Sequence, residues 1–351
     1  MLTAAIDPQT ARAGEILIKD VMLTKPGEHV LITADTGTDM GVVRALWDAS
    51  MALTDKVAIL MGPQLPYQGG FADPYISDPL RAAMANCDVW VELGFPYLAG
   101  SKAFDAAIEH GRTRYYLSPG LTAEAMVRLF TTVDLDDLFA VQQAFDAYLV
   151  TADGKPCRIT NAGGTDVTFN LSTSHSPFGM CRADAPGITG LLGAVFVMPD
   201  LDTVKGVINV ESIFSDDVYT PLPEPVSIEV DGKVQSLSGG GSKMGFVESA
   251  LRKGGGGEDY GYVVHFTCGV HPGARSTGTC FLEDQRAPGY NAVGLGLPFW
   301  VPGGGETHPD TVISSQSVWV DGEQIVDTGV IVNPPELAAM YGKLQAGLAP
   351  A

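Results

Sequence analysis

The chain has 351 residues, 45% of them hydrophobic, and a formal net charge of −20. That length and apolar content suffice for two domains with sizeable cores, while the acidic balance disfavours nucleic acid and anionic membrane, whose phosphates need Lys and Arg. The start, Met1-Leu2-Thr3-Ala4-Ala5-Ile6-Asp7, lacks a basic stretch followed by an apolar one, no apolar run nears the ~20 residues of a membrane span, and the five cysteines include no C-x-x-C pair, so the expectation is a cytoplasmic protein with reduced thiols.

From residue 13 to about 130, strand and helix signals alternate. His29 to Ala34 is a short apolar run and reads as a buried strand. Asp35-Thr36-Gly37-Thr38-Asp39 has turn and N-cap chemistry, and Met40, Val43, Leu46 and Trp47 then recur at helical spacing. The stretch lacks G-x-G-x-x-G, and no P-loop occurs anywhere, so a capped turn is preferred there to a nucleotide site. Lys56–Met61, Asp88–Leu93 and Thr113–Leu117 supply three more strands. Asp78-Pro79 predicts an N-cap followed by proline at the first helical position. Strands alternating with helices imply a parallel sheet covered on both faces.

Asp134 to Val150 predicts a helix, with Leu138, Phe139, Phe145 and Leu149 on one stripe. Beyond it the texture is mainly β: Cys157–Thr160, Asp166–Leu171, Val195–Met198, Gly206–Val210, Val226–Val230 and Val318–Val320, with one helix near Ser242–Lys253. Asp231-Gly232 and Asp321-Gly322 are hairpin turns by their chemistry. The expected organisation is an α/β domain with a parallel sheet over 1–133, followed by a β-rich α+β domain over 134–351.

The stretch with the strongest chemistry is Gly304-Gly305-Glu306-Thr307-His308-Pro309-Asp310-Thr311. In an extended run His308 and Asp310 point to one face. An imidazole beside a carboxylate suits zinc or ferrous iron, but two residues do not close a site. Of the six histidines, His265 lies on the apolar run Tyr262–Phe266 near the glycine-rich loops, and it completes a candidate set of His265, His308 and Asp310. Two histidines and one carboxylate leave open positions, the pattern of non-haem Fe(II) oxygenases. The competing reading is a surface His-Pro-Asp turn and a satisfied core histidine.

An α/β domain followed by a β-rich domain carrying Gly163-Gly164-Thr165-Asp166 resembles the aminopeptidase T family of metallo-aminopeptidases. It resembles still more that family's relatives, the 2,5-dihydroxypyridine 5,6-dioxygenases. The peptidases hold two metals, one through a Glu in a Gly-Glu-Val-Phe-type strand, and that segment here reads Gly193-Ala194-Val195-Phe196. A second peptidase Glu matches His265. A peptidase His falls near Asn291–Gly296, where this chain has none. The remaining ligands, His265, His308 and Asp310, match the dioxygenase pattern and imply one metal per chain. The pyridine enzymes carry further active-site histidines, whereas Leu93-Gly94-Phe95 and Gly187-Ile188-Thr189 contain none, which leaves the exact substrate open.

The resemblance implies an Fe(II)-dependent, extradiol-type ring-cleaving dioxygenase that takes O₂ and a hydroxylated N-heterocycle such as a dihydroxypyridine. His271, Arg275 and Ser276 follow His265 in position to bind the substrate anion or its proton, although Arg275 can equally pair with an acid and His271 be a loop residue. Tyr290 and Glu306 are candidate substrate contacts on the glycine loops. The family also implies a homo-oligomer, and the apolar Gly294–Trp300 segment suits a partner or a core. The 2-oxoglutarate oxygenases need a second His after His-x-Asp, and none follows His308. A metal-dependent hydrolase, an aminopeptidase or cyclic amidase with a single zinc, is the stronger alternative. A domain that has lost its metals altogether is the third.

Overall fold

The computed structural model describes residues 6–177, 179, 181–190 and 192–349. It divides into two compact units. The first reaches to Leu135 and takes back a segment ending at Leu192; the second comprises Asp136–Gly179 and Gly193–Gly347. Among the described residues no helix is long and apolar enough to cross a membrane.

The first unit holds a five-stranded parallel sheet in the order Val57–Met61, Val30–Ala34, Val89–Glu92, Arg114–Leu117 and Gly187–Thr189. Val30–Ala34 is buried at all five positions, which requires cover on both faces of the sheet. The helices between strands start where short polar side chains satisfy free amides: Asp39 accepts from Gly41 N at 2.8 Å, Ser101 from Phe104 N at 3.1 Å and Thr122 from Ala125 N at 3.2 Å. One expected cap is corrected. Ser77, with extended backbone, is the N-cap of Asp78–Met84, and Asp78 and Pro79 are already helical. Proline loses nothing there, since first-turn amides have no intrahelical acceptor.

Trp90, Phe104 and Tyr115 pack together in the core of this unit, and Trp90 Nε1 donates to Thr33 Oγ1 at 2.9 Å. Glu92 is buried among them. It accepts hydrogen bonds from Leu98 N at 3.0 Å and from the Tyr115 hydroxyl. Burial pushes its carboxyl up to about 8, against the pull of those donors. Asp35 accepts from Gly37 N at 2.8 Å and Thr38 Oγ1 at 3.0 Å, closing the turn that follows the first strand with its own side chain.

The second unit is built on a large antiparallel sheet. The two glycine hairpins form as their chemistry dictates. Gly232 turns at φ +71° between Asp231 and Lys233, and Asp321 and Gly322, at φ +50° and +84°, join Val320 to Glu323. The longest strands, Lys205–Ser215 and Val218–Asp231, pair with each other along most of their length. The pairings run from there through Lys233–Gly239, Tyr262–Gly269, Asn291–Gly296 and Asp310–Ile313 back to Lys205–Ser215, so these six strands close on themselves. Two helices beyond those expected flank the chain, Pro8–Glu15 near its start and Pro335–Ala346 near its end.

Candidate metal centre

Three neighbouring strands of the closed ring carry the site. In their register His265 pairs with Gly294, and Gly294 with Asp310, so residues 265, 294 and 310 lie in one cross-strand row. Directly paired residues share a face. The row exists because the strand Tyr262–Gly269 slips register between Val263 and His265. An unbroken ladder would set Val264 opposite Gly294. The bulge replaces it with His265, the kind of re-aiming for which bulges are found beside functional sites. His308 precedes the third strand and reaches the same place from the chain approaching Asp310.

The side chains converge tightly. His265 Nε2 and His308 Nε2 are 3.0 Å apart, and Asp310 Oδ1 lies 3.4 Å from the first and 3.7 Å from the second. A point equidistant from atoms at those separations is about 2.0 Å from each, within the ~2.0–2.2 Å of nitrogen and oxygen bonds to a divalent metal. Among the described residues this is the one group of His, Cys, Asp and Glu side chains placed to hold a metal ion. All three residues are buried, and Asp310 Oδ1 has no hydrogen-bond donor.

Burial also sets the protonation. It lowers His265 to about 4, with the Ala292 carbonyl pulling the other way, and it lowers His308 well below the usual imidazole range, helped by His265. Burial raises Asp310 to about 7, opposed by the Arg286 guanidinium. Two imidazoles favoured in their neutral form and one carboxyl group, which gives up its proton on binding a cation, thus meet at one point, and they form a donor set that suits a divalent cation.

The space is kept by a missing side chain. A Cβ on Gly294 would stand 2.3 Å from His265 Nε2 and 2.4 Å from His308 Nε2. Two phenyl rings flank the imidazoles: Phe196 lies 5.0 Å from the His265 ring centroid, and Phe299 lies 4.4 Å from that of His308.

The other expected site residues sit around the loop that follows His265 and on the glycine-rich segments. His271 is fully buried, and its Nδ1 accepts from Gly273 N at 3.1 Å. Arg275 and Ser276 are exposed, on a loop whose amides are pinned by two buried acids. Glu283 accepts from Arg275 N at 3.0 Å, while Asp284 accepts from Thr277 N at 2.8 Å and Gly278 N at 2.7 Å. Tyr290 is half-buried, and Glu306 is exposed two residues before His308. None of these five belongs to the His265–His308–Asp310 group. Sequence reasoning passed over Gly294, Phe196 and Phe299. The signal for Gly294 was a glycine inside an apolar strand, which marks a close approach.

A family model described as NicX: 2,5-dihydroxypyridine 5,6-dioxygenase matches residues 20–333. The structure of 2,5-dihydroxypyridine dioxygenase from Pseudomonas putida KT2440 is similar in fold, with a TM-score of 0.69 at 19% identity, over 95% of this chain and 100% of that one. Wild-type AmpT from Thermus thermophilus is similar with a TM-score of 0.63 at 15% identity, over 93% of this chain and 99% of that one. No curated protein sequence gives a significant match.

Proposed function

The chain belongs to the NicX, or 2,5-dihydroxypyridine 5,6-dioxygenase, family, and from that premise we propose that it is a mononuclear, Fe(II)-dependent, extradiol-type dioxygenase that opens the ring of a hydroxylated N-heterocycle. The family is one of dioxygenases, and its match covers most of the chain. The observation that carries the finer reading is the convergence of His265, His308 and Asp310 around the space above Gly294. Two histidines and one carboxylate with open positions suit ferrous iron.

In this reading His265, His308 and Asp310 hold one Fe(II) per chain. Bound there, the iron supplies the path by which the electron-rich ring reduces O₂, both of whose atoms enter the opened product. The residues of the chain do the rest. Low imidazole basicity keeps His265 and His308 unprotonated and available as ligands at neutral pH. The phenyl rings of Phe196 and Phe299 give the site apolar walls that limit water. His271, Arg275 and Ser276 are assigned to the substrate anion and its proton, and Tyr290 and Glu306 to substrate contacts. The β-rich part of the chain, 134–351, is the catalytic domain, and the enzyme works in the cytoplasm as a homo-oligomer.

The same donor set also suits a single zinc and hydrolysis, and AmpT shares the fold. Oxygen uptake separates the two. Anaerobically purified protein is reconstituted with Fe(II) or Zn(II) and offered a panel of hydroxypyridines. Substrate-dependent oxygen consumption with iron and none with zinc is the expected result. Peptide or cyclic-amide hydrolysis with zinc, without oxygen uptake, overturns the dioxygenase reading.

A further inference from the structure

The loop after Leu297 presents two aromatic side chains in succession, and they take different partners. The Phe299 ring lies 4.4 Å from that of His308, tilted by 45°, and 6.4 Å from that of His265, nearly parallel at 19°. Trp300 lies flat against His175, with ring centroids 3.9 Å apart and planes 9° apart. The backbone linking them is tight. Leu297 N donates to Gly254 O at 2.8 Å, Val301 N to Pro298 O at 3.2 Å and Gly304 N to Val301 O at 2.9 Å. A Cβ on Gly304 would fall 1.7 Å from Pro298 O, so the loop closes on itself as only glycine permits. In so short a loop the position of one ring follows that of the other.

Phe299 is 49% exposed although it touches a buried histidine. The ring contacts His308, and about half of the residue remains open to solvent beside the triad, an apolar aromatic surface that a ligand at the site can meet. Such a surface gains most from a flat partner. A flat heterocycle in offset contact with a phenyl face benefits from ring electrostatics as well as from burial.

We propose that Phe299 is the residue with which this site selects a planar ring over a puckered one, and that the stack of Trp300 on His175 holds it in position. His175 is then a positioning residue that acts on the site through Trp300. The inference rests on the ring-cleaving reading above and names the residue that recognises the ring.

The test measures binding. Protein loaded with Zn(II) is titrated calorimetrically with 2,5-dihydroxypyridine and with 5-hydroxypiperidin-2-one, which offers similar polar groups on a saturated, non-planar ring. Zinc content is measured on the same samples. Wild type is expected to prefer the flat ring. Phe299→Ala should weaken the flat ring by roughly 3–10-fold and leave the puckered one within about twofold, with zinc content unchanged. His175→Ala should weaken the flat ring by roughly threefold and shift the tryptophan emission, and His175→Phe, which keeps a ring against Trp300, should restore both. Equal losses for the two ligands in Phe299→Ala, or no loss, overturn the selection. Wild-type affinities in His175→Ala overturn the positioning role. A wild type that takes up no metal, or takes it up and binds neither ring, overturns the proposed function and this inference with it; the zinc assay tells those two cases apart.

Discussion

Gly294→Ala puts a single methyl group where the proposed metal belongs. The new Cβ would lie 2.3 Å from His265 Nε2, 2.4 Å from His308 Nε2 and 2.5 Å from His265 Cδ2. Those separations are about 1 Å inside ordinary contact, and they nearly equal a metal–nitrogen bond. The methyl therefore takes the metal's place or drives both imidazoles away from it. Glycine is not needed here for its backbone, because Gly294 lies in a regular strand and is absent from the residues with positive φ. Overpacking of this kind costs about 1–3 kcal/mol, a fall in melting temperature of a few degrees for a unit of this size. Metal affinity should fall by more than the ~100-fold typical of lesions around a metal's ligands, since this one occupies the site itself. The assay is metal per chain after dialysis against buffered Fe(II) or Co(II), alongside a thermal melt. Gly245→Ala, whose Cβ meets nothing within 4 Å, is the silent control. If Gly294→Ala keeps one tightly held metal per chain with wild-type affinity, the metal does not sit among these three side chains.

His265→Ala, His308→Ala and Asp310→Ala should each abolish oxygen uptake and strip the metal while circular dichroism stays native; full metal and turnover in any one of them removes that residue from the ligand set. Elemental analysis should find one metal per chain, and air should inactivate the enzyme until Fe(II) and a reductant are restored; two tightly held metals would return the chain to dinuclear chemistry. Glu92 is raised by burial from 4.5 to about 8, so its folded state binds the proton more tightly than the unfolded state. Its stabilisation is therefore complete below pH 4.5 and lost as pH rises through 8, on the order of 5 kcal/mol in all; urea midpoints between pH 5 and 8 should flatten in Glu92→Gln, and an unchanged slope would refute the assignment. Light scattering at micromolar concentration should give a mass above that of the monomer, and a monomer mass counts against self-association.

Much of the architecture was legible because it is local. The runs ending at Ala34, Met61, Leu93 and Leu117 are short, apolar and separated by helical spacing, and they contain four strands of the parallel sheet. His308 and Asp310 were visible as a pair because an extended chain brings residues two apart to one face. What tertiary structure decided is everything that joins distant segments. Gly187–Thr189, three residues long, joins that parallel sheet beside Arg114–Tyr116, some seventy positions earlier, through backbone hydrogen bonds that carry no local signature. The bulge after Val263 is likewise unreadable in Tyr262–Gly269, because nearly every residue of that strand is buried and no alternation marks which face His265 takes. Only the pairing of three strands sets Gly294 between His265 and Asp310, so an absent side chain, rather than any residue with chemistry of its own, makes the room for a metal. A one-dimensional pattern records which groups can donate a lone pair. Where those lone pairs meet depends on register, and register is settled by the sheet as a whole.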